Sequence, residues 1–416
     1  MRYTAFLILF LLALRPALAG DNWPQFRGPT GDGIADTKGL PITWSENENI
    51  RWKTPIHDKG WSSPVIWGDQ IWLTTARADG HAFYVLCVDR KSGKIIHDIK
   101  LFDVPNPAFC IEKNSYASPT PVVEEGRVYL HFGAYGTFCL DSATAKVLWE
   151  RRDLKCDHFR GPGSSPIIFG NLIILTFDGY DQDYLAALDK TSGKTVWRKD
   201  RNIAYQSDNG DYHKAYSTPS VMMVDGKPQL VSPSAECTIA YDPQTGNELW
   251  RIHYGGKNSM NAACKPVFGH GLVFLTSGHD RILLAVRQGD SGMLSPENVA
   301  WKVSKNIVPT RPSLLLVNDL LFLVSDDGVA SCLDAATGKM YWSERLNAPF
   351  SASPIYAEGR IYAADEIGKV YVLAADKSFK LLATNKLDDG CMASPAAVGD
   401  ALYLRTKTHL YCIGTK

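Results

Sequence analysis

Short runs of alternating apolar and polar residues, each of strand length, recur along almost the whole chain, beginning with Val65-Ile66-Trp67, Ile71-Trp72-Leu73 and Tyr84-Val85-Leu86-Cys87-Val88. Gly, Asp and Asn pairs separate them, for example Gly68-Asp69, Glu125-Gly126, Gly170-Asn171 and Gly399-Asp400. Such pairs between period-2 runs signal hairpins. A longer signal overlies these: Asp334-Ala-Ala-Thr-Gly338-Lys339 ends one strand, turns, and leads to Trp342 in the next. It recurs at Asp189…Gly193-Lys194…Trp197 and Asp242…Gly246…Trp250. Elsewhere it degenerates: Asp89…Gly93-Lys94 leads to His97, Asp141…Trp149 has Ala145 for the glycine, Trp301 follows a longer turn, and Asp376…Leu382 lacks the Trp.

A Ser/Thr-rich tripeptide ending in proline opens each unit. The prolines are Pro64, Pro119, Pro166, Pro219, Pro266, Pro312, Pro354 and Pro395, roughly 41 to 55 residues apart, which is close to the period of propeller blades. Proline suits the start of an innermost strand, where a missing N–H is tolerated. Each unit reads as four antiparallel strands, A to D. The last unit supplies only three, and Asn49-Ile50-Arg51-Trp52-Lys53 offers the fourth, with Trp52 in the repeat's Trp position. Joining the two ends would remove exposed strand edges. The expected fold is an all-β, eight-bladed propeller over residues 49–416, its last blade closed by the N-terminal strand.

The Asp-x-x-Thr-Gly-Lys-x-x-Trp units resemble the tryptophan-docking repeats of PQQ-repeat, quinoprotein-type β-propellers, the superfamily of quinoprotein alcohol dehydrogenases and the BamB-like assembly scaffold. Trp23-Pro24-Gln25-Phe26-Arg27-Gly28-Pro29 also resembles the leader of secreted PQQ-like propellers abundant in planctomycete-type bacteria. The dehydrogenase resemblance implies a quinone held beneath a vicinal disulfide and over a Trp, with Ca²⁺ on acidic and amide side chains and an Asp base. No Cys-Cys pair exists here, and the chain is shorter than those enzymes.

Residues 1–19 have the layout of a secretory signal: Arg2, an apolar run from Ala5 to Leu14, and Ala17-Leu18-Ala19 before the expected cut at Gly20. The protein is therefore expected to be exported, periplasmic or extracellular, with no membrane span. No Cys follows the cut, so a lipid anchor is not expected there. Residues 20–48 are glycine- and proline-rich with Trp23, Phe26 and Trp44 as anchors, and read as a strap over the tight-turn rim. Formal charge balances at 44 against 44, which argues against a nucleic-acid partner. Nine cysteines leave at least one unpaired. Cys87, Cys139, Cys332 and Cys412 precede strand ends and read as small buried residues, whereas Cys110, Cys156, Cys264 and Cys391 lie in or near interblade loops and are the better bridge candidates.

Strand order places the A–B and C–D turns on one rim and the longer B–C and D–A links on the other. Functional residues favour loops on a rigid scaffold, so the long-loop rim is the expected binding face. Its ligand-binding candidates are Trp61, Tyr116, His158, Arg160, His213, Tyr216, Asn258, Asn261, Lys265, Arg311 and Asp389, with Phe350 beside them. Aromatic and convergent polar groups suit a pocket for a polar ligand. No metal is predicted; Asp178, Asp181 and Asp183 are weak oxygen-ligand candidates without EF-hand spacing. His158, His213 and His279 share the rim, but no ligand spacing joins them. The reading is a monomeric, exported, non-catalytic scaffold recognising a protein or polysaccharide, with no cofactor. The alternative is a PQQ- and calcium-dependent oxidoreductase or a carbohydrate-active enzyme using the same rim.

Overall fold

The computed structural model of the chain describes residues 22–415; the expected signal segment, residues 1–19, lies outside them. Eight antiparallel sheets, each running A-B-C-D from the axis outward, form the propeller. Blade 1 comprises Val65–Trp67, Gln70–Ala76, Ala82–Asp89 and Ile95–Asp103. Blades 2 to 7 span residues 122–151, 167–200, 220–253, 267–304, 315–345 and 355–386. Blade 8 combines Ala396–Val398, Ala401–Arg405 and His409–Ile413 with Ile50–Pro55 as its outer strand. Trp52 stands opposite Cys412, and Thr54 opposite Leu410. Blade 4 departs from the four-strand pattern: Gly292–Met293, from the C–D link of blade 5, pairs in parallel with Trp250–Arg251.

The Trp and Gly of the repeat belong to different blades. Trp52 of blade 8 packs on Gly93 of blade 1, Trp149 on Gly193, Trp197 on Gly246, and Trp301 on Gly338. Each of these indoles also donates its Nε1–H to a carbonyl of the turn it covers, at 3.0 Å for Trp52, Trp149 and Trp301 and 3.1 Å for Trp197. Each glycine sits near φ +70°, and at Gly338 a Cβ would lie 2.7 Å from the Trp301 ring. Both the backbone and the close approach require glycine. The two degenerate positions are partners: His97 of blade 1 takes the Trp place, and blade 2 has Ala145, at φ 54°, in the glycine place. Trp250 meets no tight turn, because residues 288–298 replace it, and its indole N–H donates to Gln229 at 2.8 Å instead.

Nearer the axis, hydroxyls link the blades. The Ser63 amide donates to Thr120 Oγ1, Thr120 to Ser165 Oγ, and Ser165 to Thr218 Oγ1. The series resumes from Lys265 to Ser313, Ser353, Ser394 and back to Ser63, every bond 2.9–3.0 Å long. Lys265 holds the eighth place, so blades 4 and 5 are joined there by Ser217 Oγ to Cys264 O and Ser220 Oγ to Pro266 O. The Ser/Thr-rich signals therefore satisfy buried amides that have no strand partner.

Residues 22–48 cross the tight-turn rim. Trp23 bridges to Ile66 of blade 1, Val123 of blade 2 donates to Pro24 O, and Ile34 bridges to Tyr356 of blade 7. Arg27 is buried and donates to Ser313 O, Leu314 O and Asp32 O. Phe26 is the strap residue that lines the axial cavity. All nine cysteines are free, so the bridges considered for Cys110, Cys156, Cys264 and Cys391 do not form. These four are held apart: Cys156 packs at Gln182 O, and Cys264 at Pro309 O and Pro312 O. Burial raises their thiol pKa values, Cys110 to about 11 and Cys264 and Cys391 to about 12.

The Trp–Gly pairing sets opposite expectations for two substitutions. Gly338→Ala should lower stability by about 1–3 kcal/mol, from φ strain and the displaced indole. Ala145→Gly, which faces no Trp, should change it by less than about 1 kcal/mol. Denaturant midpoints of the two variants check this.

Candidate functional site

The long links share one face by strand order, and there they bond to one another: Tyr180 N donates to Asp157 O, Phe350 N to Asp326 O, and Glu366 N to Pro349 O. At their centre lies a funnel of about 430 Å³ whose lining includes Phe26. Trp61, Ile111, Tyr216 and Met392 give its wall apolar surface; Ser63, Thr120, Ser165, Thr218, Ser353 and Ser394 encircle its lower part.

Of the candidates, Trp61, Arg160, Tyr216, Asn261 and Arg311 line this funnel, as does His279. Trp61 donates its indole N–H to Lys113 O at 3.1 Å, and Tyr216 donates its hydroxyl to His158 O at 3.0 Å, which fixes both rings. Asn261 Nδ2 lies 2.8 Å from His279 Nε2. Desolvation by the surrounding loops, then the Arg160 charge, lower the His279 pKa below its ordinary value. Both effects favour the neutral imidazole.

The remaining candidates do not converge there. Tyr116 is buried between blades 1 and 2 against Phe83 and Tyr135 and donates to Ala108 O. His158 is buried on Phe177 and accepts the Ala134 amide; burial pushes its pKa down to about 4. His213 stacks on Tyr205 with Nε2 at Ser207 O, so the three histidines do not meet. Phe350 is fully buried against Tyr371, Asn258 is exposed in a short 3-10 turn, and Asp389 is bonded by Gly390 N and Thr408 Oγ1. Lys265 leaves the hydroxyl ring toward the strap and ends against Gly31. Burial there, and the nearby Arg27, push its pKa down to about 7.

Asp178 and Asp181 are engaged by the protein itself, whereas Asp183 is left with a buried Oδ1 unpartnered among the described residues. Asp178 makes a buried bidentate pair with Arg201 at 2.5 and 2.8 Å, and Asp181 accepts the Asp157 amide. Burial and the Asp178 charge push the Asp183 pKa up to about 8. No group of three or more His, Cys, Asp or Glu side chains suited to a metal occurs among the described residues.

The mouth is built by charges from both kinds of long link: Arg281, Asp326, Asp327 and Glu366 from B–C links, and Lys113 and Arg311 from D–A links. Arg311 pairs with Asp326 at 2.7 Å, Arg281 with Asp327 at 2.6 Å, and Lys113 with Glu366 at 3.0 Å. Ser351 Oγ also donates to Glu366 at 2.7 Å. Arg160 alone among the funnel's cations has no carboxylate partner among the described residues, and its Nε is buried without an acceptor. Its neighbour Phe159 holds φ at 57°, a conformation costly for an aromatic residue, which leaves that ring exposed beside the funnel.

A model of the PQQ-repeat family described as outer membrane protein assembly factor BamB matches residues 104–199 and 293–413, a little more than half of the chain. The chain belongs to this family. Among similar proteins, the quinoprotein alcohol dehydrogenase PedH of Pseudomonas putida is 30% identical over 150 residues, which are 33% of this chain and 23% of PedH. The solved BamB of Moraxella catarrhalis superposes with a TM-score of 0.62 at 14% identity, covering 88% of this chain and 98% of that one. The quinohemoprotein alcohol dehydrogenase of Comamonas testosteroni gives a TM-score of 0.67 at 13% identity, covering 96% and 82%. Both structural likenesses speak to the fold alone.

The funnel of this BamB-family propeller does not fit the calcium–quinone arrangement implied by the dehydrogenase resemblance. The sequence has no adjacent cysteines to cap it, and Asp326, Asp327 and Glu366 each already hold a cation. One electrostatic consequence is measurable. Arg160→Gln should raise the His279 pKa, because it removes a like charge from the imidazolium. An NMR titration of the His279 ring checks this; an unchanged value would place Arg160 outside its field.

Proposed function

We propose that this chain is an exported, non-catalytic scaffold whose long-loop face receives a segment of a protein partner. The observation that carries the reading is a set of exposed aromatic rings on the long links, one of them next to Arg160 in the chain. Phe109 is 63% exposed, Phe159 39% and Tyr180 43%. Their rings stand in a row, 5.9 Å from Phe109 to Phe159 and 5.9 Å from Phe159 to Tyr180. Burying such a side chain is worth about 1.5–3 kcal/mol, and aromatic anchors beside an arginine are typical of binding hot spots. The paired charges around the funnel supply the polar rim that a protein interface needs.

Export follows from the residue 1–19 layout, and no helix among the described residues is long and apolar enough to cross a membrane. The family's description as an assembly factor supports the protein partner over the polysaccharide.

A photoreactive phenylalanine at position 109 or 180, in cells exporting the chain, tests this against Met223, which is 61% exposed near the opposite rim. Positions 109 and 180 should trap the same protein, position 223 should not, and Phe159→Ala should cut the yield about tenfold or more. Equal trapping from position 223, or adducts to glycan alone, would overturn the reading.

A further inference from the structure

The internal hydrogen bonding of the funnel leaves two sets of donors unused. The first is the hydroxyl ring. Ser63, Thr120, Ser165, Thr218, Ser353 and Ser394 line the wall. Each oxygen accepts an amide proton from the preceding blade. A hydroxyl carries one proton to donate besides its lone pairs. None of these six gives that proton to an acceptor among the described residues, so all six are left to donate into the funnel. The second is the Arg160 guanidinium, the funnel cation without a carboxylate.

Convergent donors with one uncompensated positive charge describe the complement of an anion. We propose that the funnel binds a carboxylate, with Arg160 taking its charge and the hydroxyl ring solvating its oxygens. A carboxylate matches the fork of one guanidinium in a bidentate pair. A dianion such as phosphate would also meet the acidic groups Asp326, Asp327 and Glu366 around the mouth, with Arg160 as the single free funnel cation among the described residues to balance it. Trp61, Ile111, Tyr216 and Met392 fit the carbon skeleton behind the acid group. The cavity volume of about 430 Å³ falls in the range of small-ligand sites. The carboxylate can belong to a small free acid or to a peptide, as a terminus or an Asp or Glu side chain. The inference rests on the long-loop face being the binding face, but not on its partner being a protein.

The test uses the purified exported chain. Butyrate and benzoate are titrated beside their primary amides, a short peptide is titrated with a free and with an amidated C-terminus, and inorganic phosphate serves as the competing anion. Calorimetry should show the acids binding with Kd of about 1 mM or tighter, with the amides at least tenfold weaker. The free-acid and peptide arms show which source the funnel prefers. Arg160→Gln should weaken binding about ten- to hundredfold, and Arg160→Lys should restore part of it. The Arg160 Nε–H resonance should move on saturation, a readout that a purely structural role would not give. Acid and amide binding equally, an unchanged Kd in Arg160→Gln, a preference for phosphate, or no binding at about 10 mM would each overturn the proposal. Acid binding that persists when cross-linking at position 109 fails would retire the protein partner while leaving the carboxylate site standing.

Discussion

The structure depends on ring closure by its two ends. Ile50–Pro55 is the strand that pairs with His409–Ile413 on the outer side of blade 8, and it carries Trp52 onto Gly93 of blade 1. One segment thus completes a sheet and docks that sheet on the next. An open array would expose the edge of His409–Ile413 and leave the Gly93 turn uncovered, both unfavourable for a β protein. Around the remaining ring the same task is repeated at two radii. Outer indoles seal blade to turn, and inner hydroxyls satisfy amides that would otherwise be buried without partners.

Closure also fixes the division of labour between the faces. Since every blade has the same strand order, tight turns gather at one end and variable links at the other. The strap covers the tight-turn end and contributes Phe26 to the lining of the axial funnel. The other end is free to vary because its links carry few obligations to the sheets. That is where the charges stand at the axis, with Arg160 left uncompensated beside an aromatic residue in a costly backbone conformation.

The repeat was legible in the sequence because its residues act through backbone geometry. A glycine that must accept an indole, and an Asp that caps a turn, recur at fixed spacing whatever lies between them. The joint loss of Trp at His97 and Gly at Ala145 has the same origin, although the two positions lie in different blades. The funnel was less legible. Trp61, Arg160, Tyr216, Asn261 and Arg311 reach it, while Tyr116 and His158, equally well placed in the chain, turn inward to Ala108 O and the Ala134 amide. Local hydrogen bonds in irregular links decide that direction, and no periodicity encodes them. Asp326, Asp327 and Glu366 were harder still, since they matter only through cations brought from other links. Cysteine pairing likewise depends on loop paths, which here keep every thiol apart.

Native-state hydrogen exchange across the terminal strand pair tests closure most directly. If the ring is held by its ends, the amides of Thr54 and Leu410, a directly opposed pair two residues on from the Ile56-to-Thr408 hydrogen bond across blade 8, should exchange as slowly as those of inner strands such as Leu172–Asp178, with opening only in the global transition. Exchange of blade 8 through a separate, much less costly opening, with blades 2 to 6 still protected, would mean that the propeller stands without its closure and that the face assignment rests on something else.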